Sequence, residues 1–298
     1  MRGSEVIGLS VFFDHILQAE EQTGKHIPEL LAEVKKAGIS AVEINRTYLL
    51  EHPETLEMLE AAGLQVSCIY EFYALERGRE TEKARRHIEI ARKAKAGKIL
   101  IVPGFFSVET EEFVKCVPDR QKVWNYLSHS EKALRMADGL REIVEMAGSR
   151  NIDDTPITVV IEDFDDRNSP IACVSGMQWF AEQVPGLCFT YDTGNFIIHG
   201  EDVFAAWEEL KNKVVHVHCK DRKINAEKLL QAQENETPDI KEYYLPSAVG
   251  EGCIPIKELV HKMKEYGYRG YLAIEHFDAA DQETYMQKSA ANLQEYCS

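Results

Sequence analysis

Basic residues are scarce in this chain: 34 Lys and Arg stand against 50 Asp and Glu, a formal charge of −16 over 298 residues. Nucleic acids and anionic membrane surfaces are met by clustered cations, so neither is an expected partner. The same balance suits a neutral sugar-like ligand or a bound cation. No apolar run is long enough to span a bilayer, and the N-terminal residues lack a charged stretch followed by an apolar one and a cleavage site. Neither membrane insertion nor export is expected. Cysteine is also sparse, with seven residues scattered and without CxxC spacing. An odd, unpatterned set excludes a disulfide framework and points to a reduced, cytoplasmic chain. Linker-like composition shifts and low-complexity segments are lacking too, so residues 1–298 read as one domain.

What is present is alternation. Strand-like apolar runs at 6–13, 40–44, 65–70 and 98–102 are each followed by helical spacing, at 27–36, 53–62, 79–96 and about 120–146. Four more runs follow: 157–162 (ITVVIE), 187–192 (LCFTYD), 214–218 (VVHVH) and 271–275 (YLAIE). Helical segments near 174–183, 203–210, 256–266 and 282–296 come after them. Eight strand–helix pairs in one direction predict a single (β/α)8 TIM barrel, with right-handed crossovers carrying the chain around to closure. With 44% apolar residues the chain can build the large core this needs.

The second set of runs is the informative one. Each ends where a polar, metal-competent residue stands: Glu162, Asp192, His218 and Glu275. In a parallel barrel the carboxyl ends of all strands converge on one face, where catalytic groups sit. Taken singly, each residue has an ordinary explanation. A strand-end Glu is often solvated or paired with Arg, and an Asp before Thr-Gly is often a turn former. His216 and His218 alternate and so share one side of their strand, and either could be a satisfied core histidine. Four such residues on successive strand ends are harder to obtain by chance. Three carboxylates and one imidazole suit Mn²⁺ best, with Mg²⁺, Co²⁺ or Zn²⁺ also compatible.

The segments VVIEDF, YDTGNF, HVHCKD and GEGCIPIKELVHKMKEYGYRGYLAIEHF resemble the sugar phosphate isomerase/epimerase family of xylose isomerase-like barrels, densest over residues 158–277. That family includes ketose 3-epimerases, hydroxypyruvate isomerase and inosose dehydratase. The resemblance implies Glu162, Asp192, His218 and Glu275 as metal ligands. It also implies that Glu162 and Glu275 move a proton on either side of a bound hydroxy-ketone, through a metal-stabilised enediolate. The expected substrate is a small sugar or polyol-derived ketone, and the expected assembly a homodimer or homotetramer.

Departures from the ketose 3-epimerase pattern fall on substrate-orienting positions. Asn168 stands six residues past Glu162, where those enzymes carry Glu. Asn195 stands where they carry His, and Ile224 where they carry Arg. The segment from His218 to Asp221 is closer to the HxHxKD segment of the inosose dehydratase branch. Lys220, Arg222, Asn168 and Asn195 are the expected substrate contacts, joined by Tyr70 and Phe105 as aromatic faces. Glu43 also ends a strand and is a further candidate for the pocket wall.

Two long connections, 104–118 and 219–255, leave the carboxyl face and are positioned to cover a site. An isomerase or epimerase is therefore expected, with a metal-dependent dehydratase as the alternative. An abasic-site endonuclease-like enzyme is disfavoured by the negative charge. A non-catalytic sugar-binding barrel is disfavoured by the complete ligand set.

Overall fold

The computed structural model describes residues 7–106, 110–117, 119–148, 156–231 and 240–298. Its strands are β1 (Gly8–Phe12), β2 (Ala41–Asn45), β3 (Gln65–Phe72), β4 (Lys98–Val102), β5 (Thr158–Glu162), β6 (Cys188–Asp192), β7 (Val214–Ile224), β8 (Tyr244–Ser247) and β9 (Tyr271–Glu275). All except β8 run parallel. Each pairs with its neighbour in the order β1 to β7, β7 pairs with β9, and β9 returns to β1. Eight strands thus close a parallel barrel with helices outside it, the expected (β/α)8 architecture. The strands are short and apolar because both of their faces are buried, one against the helices and one inside the barrel. Inside, Phe12, Cys68, Tyr70, Leu100, Val102, Val160 and Ala273 fill the space beside the polar residues of the carboxyl end.

Several elements differ from expectation. The helix read as one span over 120–146 is two, Arg120–His129 and Glu131–Gly148. Ser130 leaves helical geometry between them, and its hydroxyl accepts the Ala133 N–H at 3.3 Å, capping the second helix. A helix at Phe13–Thr23 went unread because it begins directly on β1, and its preceding residue, Phe12, offers no side-chain cap.

Among the described residues of connection 104–118, none lines the barrel mouth. Phe106 and Phe113 are buried in the outer core against Tyr126, and the Phe106 N–H donates to the Asn168 carbonyl at 2.7 Å. Apolar burial has anchored that stretch beside the barrel.

The connection after β7 is partly regular. β7 continues past the barrel rim to Ile224 and folds back as antiparallel β8, with Arg222 opposite Pro246 and Ile224 opposite Tyr244. This hairpin stands over the carboxyl face. The composition of its middle, with Gln231, Gln233, Glu234, Asn235 and Glu236 in near succession, predicts an exposed stretch; Gln231 ends the helix Ala226–Gln231, and the other four lie outside the described residues. No helix among the described residues is long and apolar enough to cross a membrane.

Candidate active site

Glu162, Asp192, His218 and Glu275 end β5, β6 and β9 and stand on β7 at the level of that rim. Register places Asp192 beside His218, and Lys220 beside Glu275. One ligand atom from each of the four residues lies within 4.8 Å of every other, and all four residues are buried. His218 Nδ1 faces Glu162 Oε2 at 2.5 Å and Glu275 Oε2 at 3.2 Å. Even so, Glu162 Oε2, Asp192 Oδ2 and His218 Nδ1 have no aligned hydrogen-bond partner. Buried polar atoms are ordinarily satisfied, so three such atoms converging on one point fit a divalent cation.

Asp192 both closes a turn and presents an oxygen to the cluster. Its Oδ1 accepts the Gly194 N–H at 2.7 Å, closing the Asp-Thr-Gly turn, and Oδ2 is left to face the cluster. Thr193 stitches that turn onto β7 by donating to the Lys220 carbonyl and accepting the Lys220 N–H. Gly194 is required there, because a Cβ would stand 2.6 Å from the Lys220 carbonyl oxygen.

The other face of His218 explains its orientation. Its Nε2 lies 3.1 Å from Glu43 Oε2, which His216 Nε2 also reaches at 2.7 Å. A carboxylate behind a ligating imidazole fixes the tautomer and leaves the other nitrogen for a metal. Glu43, Cys68 and His216 form a second buried group within ligand distance of one another. There, however, the Oε2 of Glu43 is shared by two imidazole nitrogens, so we assign the group to positioning His218. Tertiary contact alone reveals this network, because β2 and β7 are far apart in sequence.

Electrostatics follow from the crowding. Burial raises Asp192 to about 7, although Lys220 pulls it down. Burial raises Glu162 as well, opposed by His218. For Glu275, burial acts to raise the carboxyl, but Lys220 and His218 overcome it and hold it below the usual range. Burial likewise opposes ionisation of Glu43, yet His218 and His216 keep it at about 2.

A cavity of about 380 Å³ opens above the cluster. Glu162, His218 and Glu275 line it, as do the expected contacts Tyr70, Asn195, Lys220 and Arg222, and so does Glu43. Asp192, fully buried, does not. Lys220 Nζ contacts Glu275 Oε1 at 2.5 Å and Asn195 Oδ1 at 3.1 Å. The Tyr70 hydroxyl donates to Asp14 at 2.9 Å.

Two expected contacts stand elsewhere. Asn168 is not in the cavity wall; it lies in the connection after β5, tied to Asp166 and Phe106. Phe105 packs edge-on against Phe164, which does line the cavity. Residues that sequence reasoning missed include Asp165, Phe164 and Asp221. Asp221 accepts the backbone N–H groups of Arg222, Gly250, Gly252 and Ile254, which shapes the Gly-Glu-Gly turn. Gly252 must lack a Cβ because one would stand 2.1 Å from the Asp221 carboxylate.

Comparison with known proteins agrees with this architecture. The family model described as xylose isomerase-like TIM barrel matches residues 31–296. An inosose dehydratase of Clostridium tetani (strain Massachusetts / E88) is 27% identical over 85 residues. That match covers 28% of this chain and 28% of the relative's length. The probable 3-DHS dehydratase AsbF of Bacillus anthracis superposes with TM-score 0.67 at 14% identity, covering 97% of this chain and 99% of that one. A D-tagatose 3-epimerase-like protein superposes with TM-score 0.66 at 20% identity, covering 97% of both chains. At these identities the structures share the fold.

Proposed function

The chain belongs to the xylose isomerase-like TIM barrel family, and we propose that it is a divalent-metal-dependent isomerase or epimerase of a small sugar or hydroxy-ketone. The observation that carries this reading is the convergence of the four donor atoms of Glu162, Asp192, His218 and Glu275 at the floor of the cavity. Mn²⁺ suits three carboxylates and one imidazole best. Bound there, the ion would supply a Lewis acid to a substrate carbonyl.

The rest of the chemistry belongs to the chain. Glu162 and Glu275 reach the cavity, whereas Asp192 does not, so the two glutamates are the pair able to meet substrate. One carboxylate takes the proton from the carbon beside the carbonyl, and the C–H electron pair moves toward the carbonyl oxygen. The other carboxyl returns a proton, to the opposite face for epimerisation or to the former carbonyl carbon for isomerisation, in which case the neighbouring hydroxyl also passes its proton to the former carbonyl oxygen. Lys220, held against Glu275 and Asn195, orients a substrate oxygen. Phe12, Tyr70 and Phe277 wall the floor and keep water from the deprotonated carbon.

The match to inosose dehydratase favours a second reading, dehydration, in which the same first proton transfer is followed by loss of a β-hydroxyl as water. Incubating the Mn²⁺-loaded protein with a panel of ketoses and inososes in ²H₂O, followed by NMR, tests both. Deuterium in a rearranged isomer supports the first reading, and loss of water the second. No exchange with any member of the panel would overturn both.

A further inference from the structure

Three cations line the cavity, and each is set against a carboxylate. Lys220 faces Glu275 and Asp192. Arg222, nearly buried, donates from Nη2 to Asp165 Oδ2 at 3.0 Å and to Asn195 Oδ1 at 2.9 Å, and from Nε to the Gly194 carbonyl at 2.7 Å. Lys241, brought over the mouth next to the hairpin, reaches the other oxygen of the same carboxylate, Asp165 Oδ1, at 3.0 Å. Asp165 therefore closes both outer cations at once, and a buried guanidinium needs such a partner. Six carboxylates and three cations line the cavity, so even a divalent ion would leave no net positive charge for an anionic ligand.

Much of the uncharged wall is aromatic: Phe12, Tyr70, Phe72, Phe164, Tyr244 and Phe277. Phe72 and Phe164 meet edge to face at 6.0 Å. Phe72 stays 44% exposed among the described residues. A phosphoryl group would find the Lys and Arg residues described in this wall already paired with carboxylates, whereas the C–H face of a sugar ring would replace water from its aromatic part.

We propose that Asp165 is a specificity-determining residue: by holding Arg222 and Lys241 it restricts the site to uncharged polyhydroxy ketones and rejects their phosphate esters. This deepens the reading of the site as one for a sugar-like ketone and rests on it. The charge argument is testable without turnover. Inorganic phosphate titrated into the metal-free protein, followed by ³¹P NMR, should show no specific binding to the wild type. Asp165→Asn should gain phosphate affinity of at least about tenfold, the worth of one charge-assisted hydrogen bond. Adding Arg222→Met to that variant should remove the gain. If Asp165→Asn does not fold, the wild type decides by competition between a neutral ketone and its phosphate ester on the Mn²⁺-loaded enzyme. Tighter binding of the ester, or phosphate binding by the wild type that Arg222→Met abolishes, would overturn the proposal. Turnover of a phosphate ester would sink this proposal and leave the isomerase reading standing. A preference for neutral ligands without turnover of any would do the reverse.

Discussion

Glu43 has the most to say at the scale of single residues, because one of its oxygens serves two histidines. Its Oε2 accepts from His216 and His218 inside the barrel, where none of the three is appreciably exposed. Replacing the carboxylate with an amide should therefore loosen His218 while leaving all four proposed ligands in place. Glu43→Gln is expected to weaken Mn²⁺ binding by roughly 10- to 100-fold, the usual effect of removing a partner behind a ligand. Isothermal titration checks this, and unchanged affinity would mean that His218 is oriented by packing alone. Direct removal should cost more: Glu162→Gln, Asp192→Asn, His218→Ala and Glu275→Gln should each lower bound metal and abolish turnover. His216→Ala should harm metal content less than His218→Ala. The four residues of the cluster were legible because each closes an apolar run of constant character. Glu43 was read as a strand end, whereas it stands in the middle of β2; its role was not visible, since nothing in sequence ties β2 to β7.

Among the elements, the β7–β8 hairpin separates what was legible from what was not. The length and polarity of 219–255 marked a long excursion beside His218. Its strand character was masked by Pro246 and by the absence of alternating apolar residues on β8. What holds it is Asp221, whose carboxylate gathers four backbone N–H groups from both ends of the excursion. Asp221→Ala leaves those donors without their anion and should destabilise the protein by about 3 kcal/mol, measured by urea unfolding. A loss below about 0.5 kcal/mol would show that the turn is held by other contacts. Tyr244, carried on β8 into the cavity wall, should affect ligand and not metal. Tyr244→Ala is expected to raise KM with Mn²⁺ stoichiometry unchanged, and an unaltered KM would remove β8 from the binding surface. The helix break at Ser130 was hidden for a different reason: the apolar spacing continues across it, and only the cap shows where one helix ends.

Acid stability belongs to the whole molecule. His87 is buried and neutral between the Ile69 carbonyl, 3.1 Å from Nε2, and the Tyr73 hydroxyl, 3.2 Å from Nδ1. Burial lowers it to about 3. A folded-state value below the unfolded one means that the neutral ring contributes its full stability above about pH 6.5, and that this is lost as pH falls toward 3. Between pH 6.5 and 5 the wild type should lose roughly 2 kcal/mol more than His87→Gln, at about 1.4 kcal/mol per unit. Parallel losses in the two proteins would show that His87 is not the acid-sensitive group.

The eight barrel strands were readable because alternation repeats along the chain, although the helix Phe13–Thr23 was not. The substrate-facing positions were read only in part. Asn195, Lys220, Arg222 and Tyr70 reach the cavity, while Asn168 and Phe105 do not, because loop paths after β4 and β5 are set by where Phe106 and Phe113 find burial. Equilibrium dialysis of Mn²⁺ against the wild type and His218→Ala tests the central claim most directly. About one ion per chain in the wild type, and markedly less in a variant that remains folded, is the expected result; a wild type that binds no divalent ion would contradict it.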